Sequence, residues 1–209
     1  MKIAVISDIS TVMKNPDVMA SLESRGHEII NVGMKSASDP ELTYIHTGFL
    51  SALVLNAKRA DLVVGGCGTG QGFMNSVNQY PGVACGHLIT PLDAWLFTQI
   101  NAGNCLSIML NEGWGWGGEV NLKLLFDAFF SVELGGGYPA PRAESQANSR
   151  ALLKRVSETT HRPFAEIVRS LEDYVVQAPL AFPGVWELID PPTLENRDLA
   201  VALEERRQN

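Results

Sequence analysis

Short apolar segments alternate with segments of helical spacing along residues 1–131. The apolar segments suit strands that are buried on both faces, and the segments between them suit helices of about 10–15 residues. This alternation predicts βαβ units, and their right-handed crossovers predict a doubly wound α/β fold with a parallel sheet. The predicted strands are residues 3–6, 27–32, 61–65, 83–87 and 105–110.

The composition changes after the glycine- and proline-rich run Gly135–Pro141, which predicts a loop. We therefore divide the chain into an α/β domain, residues 1–142, and a mainly helical C-terminal extension, residues 143–209. About 70 residues make a marginal domain alone, so we expect the extension to pack on the core or on a neighbouring subunit. Helices are predicted at residues 16–25, 42–58, 91–101, 119–131, 147–157, 163–174 and 194–207, and an extended segment at 179–192.

The net charge of −7 over 209 residues argues against nucleic acid or an anionic membrane as the main partner. The stretch from Leu62 to Leu92 carries no charge, but its glycines, amides and Pro81 exclude a membrane span, which needs about 20 mainly apolar residues. Lys2 leads into a short apolar segment that is unlike a secretory leader. With three cysteines and no leader, we expect a reducing, cytoplasmic location.

A glycine-rich run, Gly65–Gly72, follows the third predicted strand. Ligands bind at the carboxyl ends of strands in doubly wound folds, and glycines let the backbone approach an anion closely. The run fits neither the dinucleotide fingerprint nor the P-loop, and no Lys or Arg lies between Arg59 and Lys123. Backbone amides, or an Arg from far along the chain, would therefore hold a phosphate here.

Cys67 and Thr69 are the two chemically active side chains of this run. A thiol at a helix start is a candidate nucleophile or general base, while the alternative is a small residue filling a tight turn. Thr69 is a candidate donor to a developing oxyanion, or else a helix cap. The residues themselves leave both alternatives open.

Other signals at the same edge are weaker. His87 ends the fourth predicted strand, where it is either a catalytic acid or a packing residue. Trp114 and Trp116 follow the fifth strand and would line a sugar pocket or seal a subunit interface. The cysteine spacings fit no zinc pattern, so we predict neither a metal nor a cofactor.

The run Gly66–Gly72, which reads Gly-Cys-Gly-Thr-Gly-Gln-Gly, resembles the ribose-5-phosphate isomerase type B and galactose-6-phosphate isomerase family. The resemblance covers about residues 1–142. Outside the run it rests on Lys2-Ile3-Ala4, Asp8, Tyr44, His46, Asn78, Pro81-Gly82-Val83, Pro91, Ala94, Asn101 and Asn104-Cys105-Leu106.

This resemblance implies a Rossmann-like, five-stranded sheet and a homodimer, or larger homo-oligomer, with shared active sites. It implies an aldose–ketose isomerase that acts on a small phosphorylated sugar through an enediolate. Cys67 would be the base that moves a proton between C1 and C2, and Thr69 would steady the enediolate, without a cofactor. The implied substrate contacts are Asp8, His46, Gly68, Gly70, Gly72, Asn101 and Arg142.

Three positions depart from the family pattern. Ile9 replaces a His after Asp8, Ile100 replaces the His that opens the sugar ring, and Tyr138 replaces the first of two phosphate-binding Arg residues. We therefore predict a substrate that needs no ring opening, such as a linear tetrose 4-phosphate; otherwise His46 or His87 serves as the acid. The alternative function is a sugar-phosphate-binding module that has lost catalysis.

Overall fold

A computed structural model describes residues 1–208, and these residues form one parallel sheet of five strands. Each strand overlaps a predicted segment, although β3 and β4 end one or two residues later than predicted. The predicted fold class, a doubly wound α/β sheet with a mainly helical C-terminal extension, is therefore confirmed. The strands are Lys2–Ile6 (β1), Glu28–Asn31 (β2), Leu62–Cys67 (β3), Cys85–Leu88 (β4) and Cys105–Met109 (β5).

The helices of the described residues fall into a core set and an extension set. The core set is Asn15–Leu22 (α1), Tyr44–Asn56 (α2), Gln71–Val77 (α3), Pro91–Leu96 (α4), continued by a π-helical turn at Phe97–Asn101, and Gly118–Phe130 (α5). The extension set is Ala143–Thr160 (α6), Phe164–Ser170 (α7), Asp173–Ala181 (α8), Val185–Ile189 (α9) and Arg197–Gln208 (α10). Within residues 1–208, no helix is both long enough and apolar enough to cross a membrane.

The strand order, β2-β1-β3-β5-β4, places β1 between β2 and β3. From β1 the chain forms β2 on one side, and the connection after β2 crosses back to place β3 on the other side of β1, where Ile6 pairs with Gly65. Such a reversal opens a crevice at the carboxyl ends of the two strands, where doubly wound folds bind ligands. Residues 7–11 and 68–72, which directly follow β1 and β3, border this crevice.

Apolar cores lie on both faces of the sheet. On one face α1, α4 and α5 pack on side chains such as Val5 and Val64. On the other face α2 and α3 pack on Ile6 and Val63, and helices α7 to α10 add their apolar side chains to the same cluster. Phe164 of α7, for example, stacks on Phe49 of α2 with ring centroids 6.1 Å apart. By contrast, α6 buries none of its side chains.

The structure corrects two expectations in the extension. Residues 179–192 are not extended, because α8 runs to Ala181 through Pro179, and α9 follows after one turn. Burial of Val185 and Ile189 against the core stabilises this helix despite the neighbouring prolines. The predicted helix at 163–174 is also wrong in extent, since α7 ends at Ser170 and α8 starts three residues later.

Truncation of Leu203 tests whether the extension is part of the core. Leu203 is fully buried, so Leu203→Ala should lower the free energy of unfolding by about 2–5 kcal/mol. Leu153 on α6 is 66% exposed, and the matched Leu153→Ala change should cost no more than about 0.5 kcal/mol. Urea unfolding measures both. Equal losses of unfolding free energy in the two variants would show instead that another surface covers α6 in solution.

Candidate active site

The glycine-rich run does not follow β3, as predicted, but begins inside it: residues 65–67 end β3, residues 68–70 form a tight loop, and α3 begins at Gln71. The carbonyl of Cys67 accepts two backbone hydrogen bonds, from the N–H of Gly70 and from the N–H of Leu110, both at 3.2 Å. Gly70 adopts a left-handed conformation, with φ of +75°, and starts α3. These bonds hold the loop over the end of β5 and place Cys67 at its base.

The thiol of Cys67 and the hydroxyl of Thr69 lie close together in this loop. Sγ and Oγ1 are 3.9 Å apart, and Cys67 is 7% exposed whereas Thr69 is open to solvent. The hydroxyl of Thr69 accepts the N–H of Gln71 at 3.3 Å, but the N-cap of α3 is Gly70, so Thr69 is not the predicted helix cap. A hydroxyl has one proton and two lone pairs, so Thr69 retains its proton for a thiolate or a substrate oxygen.

Asp8 lies across the crevice from this loop, at the end of β1. Its carboxylate is 2% exposed and accepts hydrogen bonds from Ser10 at 2.7 Å and Thr11 at 2.8 Å. Burial raises the pKa of Asp8 because it removes water from the charged form, and the two hydroxyl hydrogen bonds oppose that rise. Asp8 is thus held in place by its neighbours and faces the crevice from the side opposite Cys67.

Ser10 and Asn111 connect the three strand ends. The hydroxyl of Ser10 accepts the N–H of Gly68 at 3.2 Å, and Asn111 Nδ2 donates to the carbonyl of Ser10 at 2.7 Å. The Gly68 amide, which we expected to contact substrate, is therefore already hydrogen-bonded. Neither residue is among those predicted from the sequence. A signal existed for Asn111, a polar residue directly after β5 at the ligand-binding edge.

His87 points into the glycine loop from β4. Its Nε2 is buried and, among residues 1–208, has no hydrogen-bond partner. A methyl group placed on Gly70 would lie 2.5 Å from this nitrogen, so the ring contacts the loop directly. A buried, unpaired ring nitrogen is unusual, which makes His87 a candidate functional residue beside this loop.

Tyr44 and His46 begin α2 and have different surroundings. The ring of Tyr44 lies beside Gly72, where an added methyl group would meet it at 3.3 Å. His46 is buried, and its Nδ1 accepts the N–H of Thr43 at 3.1 Å. Its Nε2 then carries the proton and donates to the carbonyl of Tyr174 in α8 at 2.8 Å. Both ring nitrogens of His46 therefore bind protein atoms, so we do not propose His46 as a substrate contact.

Asn101 and Arg142 lie apart from this group. Asn101 ends the π-helical turn and lines a cavity of about 570 Å³ with Pro81 and Arg150, near the amino end of β4. Arg142 is exposed and donates from Nε to Ser145 of α6 at 3.2 Å. In the described chain, no hydrogen bond or ion pair joins either residue to the glycine loop.

Little positive charge surrounds the crevice. Lys14 lies nearby, with its ammonium 4.8 Å from the centre of the Trp114 ring, while Trp116 is fully exposed on the same loop. Residues 1–208 bring no three His, Cys, Asp or Glu side chains together in a metal-binding arrangement. A thiol, hydroxyls and a carboxylate thus border the crevice, and the imidazole of His87 contacts the same loop from β4; such groups can take part in proton transfer.

A family model described as Ribose/Galactose Isomerase matches residues 3–145, which include all five strands and the glycine loop. The chain belongs to the ribose/galactose isomerase family. This membership confirms the resemblance seen in the glycine loop. The predicted enzyme class, a sugar isomerase, is confirmed with it.

Two solved structures match this family member over its whole length. The ribose-5-phosphate isomerase of Vibrio parahaemolyticus is 37% identical, with 99% of each chain covered and a TM-score of 0.93. A 4-deoxy-L-threo-5-hexosulose-uronate ketol-isomerase, complexed with a tartrate, is 34% identical, with 100% of each chain covered and a TM-score of 0.92. Both therefore share the C-terminal extension.

A shorter relative supports the fold alone. The ribose-5-phosphate isomerase B of Clostridium thermocellum is 20% identical and has a TM-score of 0.63. The match includes all of the Clostridium chain but only 77% of the present chain. That structure therefore has no counterpart for about a quarter of the present chain.

Gly70→Ala tests whether the loop geometry supports activity. The added methyl group would strain the left-handed backbone, at about 1–2 kcal/mol, and would displace His87. We expect turnover to fall about a hundredfold, the usual result of moving reacting groups by about 1 Å. Gly184→Ala is the matched control, because its φ is +85° and nothing lies within 4 Å of the new methyl group. Equal turnover in the two variants would contradict a catalytic role for the loop.

Proposed function

We propose that this sugar isomerase interconverts an aldose and a ketose through an enediolate, with Cys67 as the general base. One observation carries the proposal: the Cys67 thiol, the Thr69 hydroxyl and the unpaired Nε2 of His87 all belong to, or point at, a single loop. Proton abstraction beside a carbonyl needs one base and nearby donors, and this loop has both.

The proton transfers can be assigned to these groups. The Cys67 thiolate removes the proton from the carbon beside the carbonyl, and the carbonyl oxygen becomes the enediolate oxygen. His87 Nε2–H donates a proton to that oxygen, and Thr69 stabilises its negative charge with its remaining hydroxyl proton. Cys67 then returns its proton to the neighbouring carbon, while His87 recovers a proton from the other oxygen. Asp8 orients the sugar hydroxyls from the β1 side.

We propose an open-chain, anionic sugar as the substrate. Ile100 stands where the family has its ring-opening His, which favours a substrate that is already linear. Family membership favours a phosphorylated sugar, and a tetrose 4-phosphate is the simplest linear example. A sugar acid is the second candidate. One full-length relative is a uronate isomerase, and the Arg142 guanidinium could bind a carboxylate through two hydrogen bonds, as it could a phosphate.

The predicted site residues lie in two separate places in one copy of the chain, which favours a site shared between two copies. Cys67, Thr69, Asp8 and His87 form one group, whereas Arg142 lies apart from them. We propose that a homodimer brings Arg142 of one copy to the loop of the other; two-fold symmetry would then make the two shared sites equivalent.

Deuterium exchange tests the chemistry. Four-, five- and six-carbon ketose phosphates and a hexosulose uronate are incubated in D2O, and proton NMR follows deuterium uptake beside the carbonyl. We expect uptake with the unmodified enzyme and a loss of at least about a thousandfold in Cys67→Ala, because the base is removed. Cys85→Ala, a second cysteine outside the loop, is the control. Exchange that survives in Cys67→Ala would refute the assigned base, and no exchange with any sugar would favour the binding module.

Mixing two inactive variants tests the shared site. Cys67→Ala and Arg142→Ala subunits are co-refolded, and the product is compared with each variant refolded alone. If each site takes Cys67 and Arg142 from different copies, mixed dimers hold one intact site and activity should return to about a quarter of the unmodified level. Mixtures as inactive as their parents would show that both residues act within one copy.

A further inference from the structure

We propose that Ser10 is a positioning residue for Cys67: its hydroxyl bridges the Asp8 carboxylate and the peptide N–H that follows the catalytic thiol. This inference rests on the proposed function, in which Cys67 is the base. Ser10 lies outside the predicted site residues, and the family resemblance assigns it no role.

The hydrogen bonds fix the direction of the Ser10 hydroxyl. Its single proton is donated to Asp8 Oδ1 at 2.7 Å, so a lone pair remains to accept the N–H of Gly68 at 3.2 Å. The resulting chain runs from the Gly68 amide through Ser10 to the carboxylate. It crosses the crevice between β1 and β3, two strands that are neighbours in the sheet.

Asn111 holds the same contact from the other side. Its side chain donates to the carbonyl of Ser10 at 2.7 Å, and its backbone N–H donates to the carbonyl of Gly68 at 3.1 Å. Ser10 and Gly68 are therefore both hydrogen-bonded to Asn111, which lies just after β5. Gly68 is therefore restrained at its N–H by Ser10 and at its carbonyl by Asn111.

Packing alone does not account for Ser10. Asp8 is buried, but Thr11 is buried beside it and already donates a hydrogen bond to it at 2.8 Å. Ser10 is exposed, where water could serve either of its partners. Water would not provide a fixed link between the Asp8 carboxylate and the glycine loop. Gly68 follows Cys67 in the chain, so the hydrogen bond to Ser10 restrains the peptide group that joins Gly68 to the residue carrying the thiol.

The test uses three variants of the full chain. Ser10→Ala removes the link, Ser10→Thr retains a hydroxyl, and Ser36→Ala is the matched control. Ser36 is likewise exposed and donates to a nearby aspartate, Asp39, at 3.2 Å, but it lies outside the crevice. We measure kcat, KM and the thermal midpoint for each variant with the substrate found by deuterium exchange.

A positioning role predicts a specific pattern. In Ser10→Ala, kcat should fall about five- to tenfold, the rate equivalent of one lost hydrogen bond, while KM changes less than about twofold. Ser10→Thr should recover most of kcat, and Ser36→Ala should match the parent. The thermal midpoint should stay within about 3 °C throughout, because the changes are exposed.

Two outcomes would overturn the proposal. An unchanged kcat in Ser10→Ala would show that the link is dispensable, and a raised KM at constant kcat would make Ser10 a substrate contact. Either result leaves the proposed function intact as long as Cys67→Ala is inactive. Activity in Cys67→Ala would instead refute the proposed function itself, so the two failures are distinguishable.

Discussion

The carboxyl edge of the sheet depends on the close approach of α3 to β3. Gly65 has no side chain, and the fully buried ring of Phe73 fills that space; a methyl group on Gly65 would lie 2.4 Å from the ring. This contact holds the first turn of α3 against β3, the strand that precedes it in the chain. The residues between must then form a tight loop, and Cys67 is held at its base instead of at a mobile tip.

The sheet and the reactive loop could be predicted because their signals are local. Strand periodicity and a run of glycines each occupy a few consecutive residues, and Cys67 stands inside that run. The Ser10–Gly68 bond joins residues 58 positions apart, and no local pattern shows which distant amide a hydroxyl will meet. The helix at Val185 was missed because its prolines indicate an extended chain, whereas burial against the core decides its conformation.

His46 shows the limit of reasoning from a resemblance. The short family pattern predicts it as a substrate contact, but in this chain its Nε2 bonds the carbonyl of Tyr174, 128 residues later. Tyr174 belongs to the extension, which lies outside that pattern. The same ring also joins α2 to the extension, because its Nδ1 accepts the N–H of Thr43 at the start of α2. A residue that the resemblance predicts as a substrate contact is thus occupied by a hydrogen bond to the C-terminal extension.

The burial of the extension on α2 and α3 has a consequence for synthesis. Phe49 of α2 is covered by Phe164, which emerges from the ribosome more than a hundred residues later. The sheet and its helices can assemble before then, yet the apolar face of α2 stays open until α7 to α10 arrive. Nascent chains with such exposed faces are prone to aggregate. Completion of this fold is therefore tied to translation of its C-terminal helices, and the interval before they emerge is when the chain most needs chaperone protection.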